Sequence, residues 1–358
     1  MSYFRDNIER MSGYQPGYQP GEGQYIKLNT NENPYPPSPD VLEAVQEAAN
    51  EDLRKYPDPL ADDFREAASE VLDVQPENIL CGNGSDELLN LAVRSFCAEG
   101  DLLVHPYPTY SLFKVLAEIQ DAHTHVVEFP EDYSLPEGLI QPEAKLTLVA
   151  NPNSPSGTML SVQTLRSVAN SIDGILLIDE AYADFADWNC LPLVKDCDNV
   201  IVTRTLSKSY SLAGVRFGFC IAQEDLIEGM MKLKDSYNVN RLSAAAATAA
   251  IKDQDWMQEN TRKIRENRDF LAQELQSLGF QCWPSQANFV LARVPDGLDA
   301  KQIHRRLFRR GILVRYFDER RLDDCVRVTV GTRDEIESLL RELEAIIAEE
   351  TAEPSGAE

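Results

Sequence analysis

Positive charge, histidine and long apolar runs are what this sequence has least of. Lysine and arginine number 34 against 59 aspartates and glutamates, a formal net charge of −25. That balance repels nucleic acid and anionic membranes alike, so a phosphate-binding chain of this kind must gather its few cations at one site. No apolar stretch approaches the roughly 20 residues needed to cross a bilayer, and the opening MSYFRDNIERMSGYQPG lacks the apolar core of a signal peptide. A cytoplasmic protein is expected. The seven cysteines are scattered, with no C-x-x-C pair to suggest zinc or a redox couple, and should be reduced and mostly buried. Of four histidines only His123 and His125 lie close together. On an apparent strand such flanking positions face solvent, and no metal site is expected.

What is present suffices for two modest domains: 358 residues, 43% of them hydrophobic. From about residue 60 to 260, short β-rich runs alternate with helical patterns. ENILCGNG, DLLVHPYPTY, AKLTLVANP, GILLIDEAY, NVIVTRTLSK and FGFCIA read as strands. Several are unbroken apolar runs, which suit a mostly parallel sheet wrapped by helices on both faces. Stretches such as DELLNLAVRSFC, apolar at three- and four-residue intervals, supply the helices, giving an α/β pattern. The last third changes to a smaller α+β unit, with a long polar helix around 253–278, the strands ANFVLARV and CVRVTVGT, and a final helix DEIESLLRELEAIIAEE. Residues 1–50, rich in Gly, Pro, Tyr and Asn, read as an extended arm and part of the small domain, with a helix starting near Pro39. The expected division is then 51–260 for a large domain, 261–350 for a small one and 351–358 for a disordered tail.

Four segments carry chemistry. In RTLSKSYSLAGVRFG a strand ends at Thr205 and leads to Lys208 and Arg216. A lysine at a strand's carboxyl end sits in the crevice where open α/β sheets bind ligands. Thr205 and Ser207 add hydroxyls and Arg216 a fork of donors suited to a phosphate dianion, although Lys208 alone reads equally as a surface lysine. In GILLIDEAY, Asp179 emerges from aliphatic residues at a strand end, where a buried carboxylate demands a cationic partner; a cap on the next helix is the alternative reading. In CGNGSDELLNL a helix opens at Ser85 or Asp86 after Gly84, so free N–H groups can cradle phosphate, or the glycines serve only as a cap. In HPYPTYSLF, Tyr107 and Tyr110 lie near a strand end, where a ring could stack on a flat cofactor or merely pack.

In the order GNGSDE, PTY, NPNSPSGT, IDEAY, TLSK and Arg216, these segments resemble the fold type I pyridoxal-phosphate-dependent aminotransferases over nearly the whole chain. The arm KLNTNENPYPPSP, KYPDP and CVRVTVGTRDE are similar to the histidinol-phosphate aminotransferase branch of that family. The resemblance implies pyridoxal 5'-phosphate held as a Schiff base on Lys208, which also moves the proton. It implies Asp179 on the ring nitrogen, Tyr182 on the phenolic oxygen and Tyr110 stacked on the ring. It places Gly84, Ser85, Thr205, Ser207 and Arg216 around the cofactor phosphate, with Asp86 as a further cofactor-binding residue and Tyr56 reaching the phosphate from the second subunit of a homodimer. Arg327 would take the substrate's anion, with Arg315 and Tyr14 as further candidates for a substrate phosphate. The implied reaction passes an amino group between L-histidinol phosphate and 2-oxoglutarate.

The chain departs from the family at one point. Ser154 stands where an asparagine usually precedes the proline and donates to the phenolic oxygen, so that contact is lost, made through water, or taken over by Asn153. A threonine-phosphate decarboxylase and an aromatic amino-acid aminotransferase share the expected cofactor site. A cofactor-sensing regulator on the same body is the non-enzyme alternative, opposed by the charge of −25 and the absence of a DNA-binding module.

Overall fold

The computed structural model describes residues 3–21 and 25–352. Twelve strands form two sheets among these residues. In chain order they are β1 (Ile26–Leu28), β2 (Ile79–Gly82), β3 (Leu102–Tyr107), β4 (His123–Glu128), β5 (Leu146–Ala150), β6 (Ile175–Asp179), β7 (Val200–Thr205), β8 (Gly218–Ile221), β9 (Gln281–Cys282), β10 (Phe289–Arg293), β11 (Ile312–Tyr316) and β12 (Cys325–Thr329). The larger sheet has the order β2-β8-β7-β6-β5-β3-β4. Its strands run parallel except β8, which pairs antiparallel with both β7 and β2.

The unbroken apolar runs are explained by burial on both faces. Along β6, Leu176 and Ile178 join one apolar cluster with Phe64, Phe217 and Phe219. Ile175 and Leu177 face the opposite way, against Leu88, Leu89 and Phe113. The two-residue period of a strand sends alternate side chains to the two sides, and helices close both. Asp62–Leu72, Val162–Ala169 and Arg241–Lys252 cover the first side, Ser85–Phe96, Leu112–Gln120 and Glu224–Met231 the second.

The smaller sheet, β1-β11-β12-β10-β9, has its own core of Val290, Val326, Val328, Leu339 and residues of the helix Gln254–Ser277. That helix is continuous through position 260, so the change of domain expected there falls inside it, and its later turns bring Ile264, Leu271 and Leu275 into the smaller core. Of the expected tail, positions 351 and 352 continue the helix Arg333–Ala352, and 353–358 lie outside the described residues.

The extended arm expected before Pro39 is interrupted twice. A short helix, Asp6–Arg10, docks through Asn7, whose Nδ2 donates to the carbonyls of Glu118 (2.9 Å) and Ile119 (3.1 Å) at the end of the helix Leu112–Gln120. After residue 25 the arm becomes β1 and pairs in parallel with β11 of the smaller sheet. His123 and His125 are exposed on β4, and six of the seven free cysteines are buried.

Both sheets turn functional residues toward one cleft. The parallel strands β5, β6 and β7 end together at Ala150, Asp179 and Thr205. On β12 the core takes Val326 and Val328, and the strand period throws Arg327 to the other face. Gly218 opens β8 directly beneath the start of the helix Ser85–Phe96: a Cβ there would stand 2.5 Å from the Ser85 nitrogen and 2.7 Å from the Gly84 carbonyl carbon. Since backbone yields less than a side chain, Gly218→Ala should cost about 1–3 kcal/mol of stability. An unchanged urea midpoint would contradict this packing.

Candidate active site

A cleft of about 270 Å³ opens between the two sheets at the carboxyl ends of β5, β6 and β7. Every residue expected at the site lines it except Gly84, Asn153 and Tyr56. Its cations are Lys208, Arg216, Arg315 and Arg327, a concentration of positive charge in a strongly acidic chain.

The floor is built by strand ends. Asp179, the last residue of β6, is buried and accepts a hydrogen bond from Thr203 Oγ1 at 3.0 Å. Burial pushes its carboxyl up to about 7, against the lowering effect of the Thr203 hydrogen bond. Such a group requires a cation facing it in order to ionise fully. Lys208 stands three residues beyond β7, its Nζ 3.4 Å from the Thr30 carbonyl and 5.8 Å from the centre of the Tyr182 ring. Its main chain is clamped by Asn33, which donates to the carbonyls of Lys208 and Ser209, both at 3.1 Å. Behind it a buried Arg204 pairs with Glu180 at 2.7 Å and Asp184 at 3.0 Å, and Asp184 in turn accepts from the Ser209 hydroxyl. The turn that carries the lysine is therefore tied to the sheet beneath it.

One end of the cleft is a donor cradle. The helix Ser85–Phe96 starts at Gly84, whose φ of 84° is open to glycine at no steric cost. A Cβ there would lie 2.5 Å from Arg216 Nη2, so the absent side chain is what lets the guanidinium approach the helix start. Arg216 Nη1 donates to Ser207 Oγ at 3.2 Å, and Thr205 Oγ1 donates to the same oxygen at 3.0 Å. Asp86 accepts from Tyr110 Oη at 3.0 Å and pairs with Arg216 at 3.4 Å. Free helix N–H groups, two hydroxyls and an arginine suit a phosphate.

The opposite wall holds Arg327, which is 9% exposed. Its Nη1 donates to Ser154 Oγ at 3.2 Å and its Nη2 to the Asn29 carbonyl at 3.1 Å, while Nε is buried without a partner. Burial brings its guanidinium down to about 10. Among the described residues no carboxylate forms an ion pair with it, and the rings of Phe289 and Phe317 flank it at 5.0 and 5.5 Å. A desolvated cation with no acid beside it is a receptor for an anion from outside. Arg315 lines the same wall, and Tyr14 of the arm meets the Tyr110 ring edge-on at 6.0 Å. Burial, the largest influence on Tyr14, raises its phenol.

Two expected residues lie elsewhere in the chain's own geometry. Asn153 is buried beside the cleft with its amide already engaged: Nδ2 donates to the Pro108 carbonyl (3.1 Å) and Ser156 Oγ (2.9 Å), and Oδ1 accepts from Thr109. It therefore holds loops together, and the neighbouring Ser154 faces the cleft. Tyr56 is 78% exposed and stacked on Tyr237 with ring centres 4.5 Å apart. The reading of the sequence missed the segment Asn29–Asn33, which contacts Arg327, Lys208 and Tyr182 in turn. Its signal was three asparagines in five residues, with no strand or helix period to explain them.

Comparison with known proteins agrees with this geometry. The chain is 48% identical to the histidinol-phosphate aminotransferase of Rhodopirellula baltica, with 95% of each chain covered. It is 44% identical to histidinol-phosphate aminotransferase 1 of Trichormus variabilis over 97% of this chain and 99% of the other. Its backbone is similar to that of histidinol-phosphate aminotransferase from Sinorhizobium meliloti, solved in complex with pyridoxal-5'-phosphate, at a TM-score of 0.89, 29% identity and 98% coverage of both chains. The family model of aminotransferase class I and II matches residues 23–343. With the lysine, the buried carboxylate, the phosphate cradle and the anion-binding wall in one cleft, the chain belongs to the class I and II aminotransferases.

Proposed function

We propose that the chain transfers an amino group between L-histidinol phosphate and 2-oxoglutarate, giving imidazole-acetol phosphate and glutamate, as a step of histidine biosynthesis. The observation that carries this reading is the placement of Lys208 and Asp179 on one floor, facing a buried Arg327 that has no acidic partner among the described residues. The relatives' names support the substrate. No helix among the described residues is long and apolar enough to cross a membrane, and a cytoplasmic location belongs to the same proposal.

The residues present fit pyridoxal phosphate. Asp179 is a buried carboxyl awaiting a cation, as a ring nitrogen would supply, and the Gly84 approach to Arg216 leaves a cradle for a phosphate. When bound, the cofactor supplies an aldehyde for the amino group and a protonated ring that draws electrons from the substrate's α-carbon. Asp179 would hold the proton on the ring nitrogen, and Tyr182 would donate to the phenolic oxygen. Ser85, Ser207, Thr205 and Arg216, with Asp86 ordering the arginine, would bind the phosphate, and Tyr110 would cover the ring. Lys208 Nζ would anchor the aldehyde carbon and then, released by the incoming amine, carry the proton between that carbon and the substrate's α-carbon. Arg327 would take the phosphate of one substrate and the α-carboxylate of the other, with Arg315 and Tyr14 closing the anion site.

The same proposal assigns the larger sheet to a cofactor domain, and the arm, the smaller sheet and its helices to a substrate domain. It takes the active form as a homodimer in which the exposed Tyr56 reaches the cofactor phosphate of a second copy.

Three results are expected. Lys208→Ala should lower both half-reactions by more than about 10⁴-fold, because it removes both the anchor and the proton carrier, and borohydride should fix the cofactor to Lys208 in the wild type; near-normal single turnover in the variant would end the assignment. Arg327→Leu should weaken binding of both substrates by about 2–5 kcal/mol while leaving the cofactor-loaded protein at least as heat-stable, since an uncompensated buried charge is removed. Unchanged KM values would exclude the role. Burial holds Asp179 up at about 7, above the value of about 3.9 for an unfolded aspartate. Its contribution to cofactor-free stability is thus full below about pH 4 and lost as pH rises through about 7. Denaturation of the Asp179→Asn variant should show a flatter decline from about pH 4 to 7; an identical slope would refute the shift.

A further inference from the structure

Tyr182 is held by a residue to which no role has yet been assigned. Asn31 is 2% exposed and adopts a left-handed backbone with φ of 58°, a region that asparagine tolerates better than most side chains. Its polar groups are all engaged. Its N–H donates to Thr329 Oγ1 at 2.9 Å, and its carbonyl accepts from Asn288 Nδ2 at 3.0 Å. Its Oδ1 accepts from Thr329 Oγ1 at 3.1 Å, and its Nδ2 donates to Tyr182 Oη at 2.9 Å.

Thr329 decides which way this side-chain amide faces. Its hydroxyl has a single proton and already accepts the Asn31 N–H, so the proton goes to Asn31 Oδ1. Turning the amide over would aim two donors at Thr329 and strip its buried proton of that acceptor. Nδ2 therefore faces Tyr182, and an amide NH₂ only donates. Tyr182 Oη is an acceptor on this side, which leaves its own proton for the cleft. Donation into the oxygen also makes the hydroxyl a stronger donor in turn. The Tyr182 ring is fixed by an edge-on contact with Phe289 at 5.0 Å, so the direction of that proton is set by packing as well.

We propose that Asn31 is a positioning residue that aims the Tyr182 proton at the cofactor's phenolic oxygen, an inference that rests on the pyridoxal phosphate reading above. It matters more in this chain because the shorter Ser154, held by Arg327 Nη1, stands where the family has a longer amide donor. A donor at the phenolic oxygen stabilises its negative charge and so lowers the affinity of the nitrogen joined to Lys208 for its proton. Through Tyr182, Asn31 thus sets the pH at which the bound cofactor changes colour.

The test is a pH titration of the visible absorbance of the cofactor-loaded protein, wild type beside Asn31→Asp, Asn31→Gly, Thr329→Val and Thr329→Ser. Aspartate keeps the shape and the acceptor toward Thr329 but turns an oxygen to Tyr182, drawing its proton away from the cleft. The colour change should move up by about half a unit to one unit. Glycine keeps the left-handed backbone and deletes the amide, giving a smaller rise. Thr329→Val frees the amide to turn and should move the colour change the same way without altering residue 31, whereas Thr329→Ser should match the wild type. A merely structural role would lower the melting temperature and leave the titration in place. Wild-type titration in both the Asn31→Asp and Thr329→Val proteins would overturn the proposal. A wild type with no cofactor colour at all would instead remove the cofactor reading on which it stands.

Discussion

A carboxylate at the end of β6 is the constraint around which the site is organised. Asp179 is enclosed by the sheet and its flanking helices, and the hydrogen bond from Thr203 does not offset the loss of water. Only a cation brought to the same place can restore its charge. Every other feature of the floor follows from keeping that place dry and open: the lysine stands beyond the neighbouring strand, and the buried Arg204, Glu180 and Asp184 fix its turn from below.

The opposite wall poses the mirror problem. Among the described residues Arg327 is a buried cation without an acid, held by a serine hydroxyl and a main-chain carbonyl. An unmatched positive group and an unmatched negative one thus face a common space. Filling this space with a molecule that is cationic at one end and anionic at the other relieves both. The cost of burying these two groups is carried by the three apolar clusters that cover both faces of the larger sheet and fill the smaller unit.

Much of this was legible in the sequence, because strand ends and helix starts can be located from apolar runs and glycines. GILLI must be a buried strand, so Asp179 must lie at its edge; the strand before Thr205 places Lys208 in the same way. Two kinds of information were hidden. The helix Asp6–Arg10 is too short to show a period, and it is stabilised by Asn7 bonding to carbonyls more than a hundred residues away. The choice between Asn153 and Ser154 depends on which of two adjacent side chains a loop turns inward, and three hydrogen bonds hold Asn153 beside the cleft. Asn31 was hidden for a similar reason: its partners are Tyr182, Asn288 and Thr329, and no local pattern can announce them.

The crowding of arginines into one cleft of a chain with net charge −25 also bears on how fast an anion arrives. At long range a phosphorylated or dicarboxylate molecule meets a repulsive field, and only within a few ångströms do the guanidinium groups dominate. Dissolved ions screen the distant field over about 8–10 Å at physiological strength and reach the enclosed cations far less. Moderate salt therefore weakens the distant repulsion before it weakens the pull of the enclosed guanidinium groups.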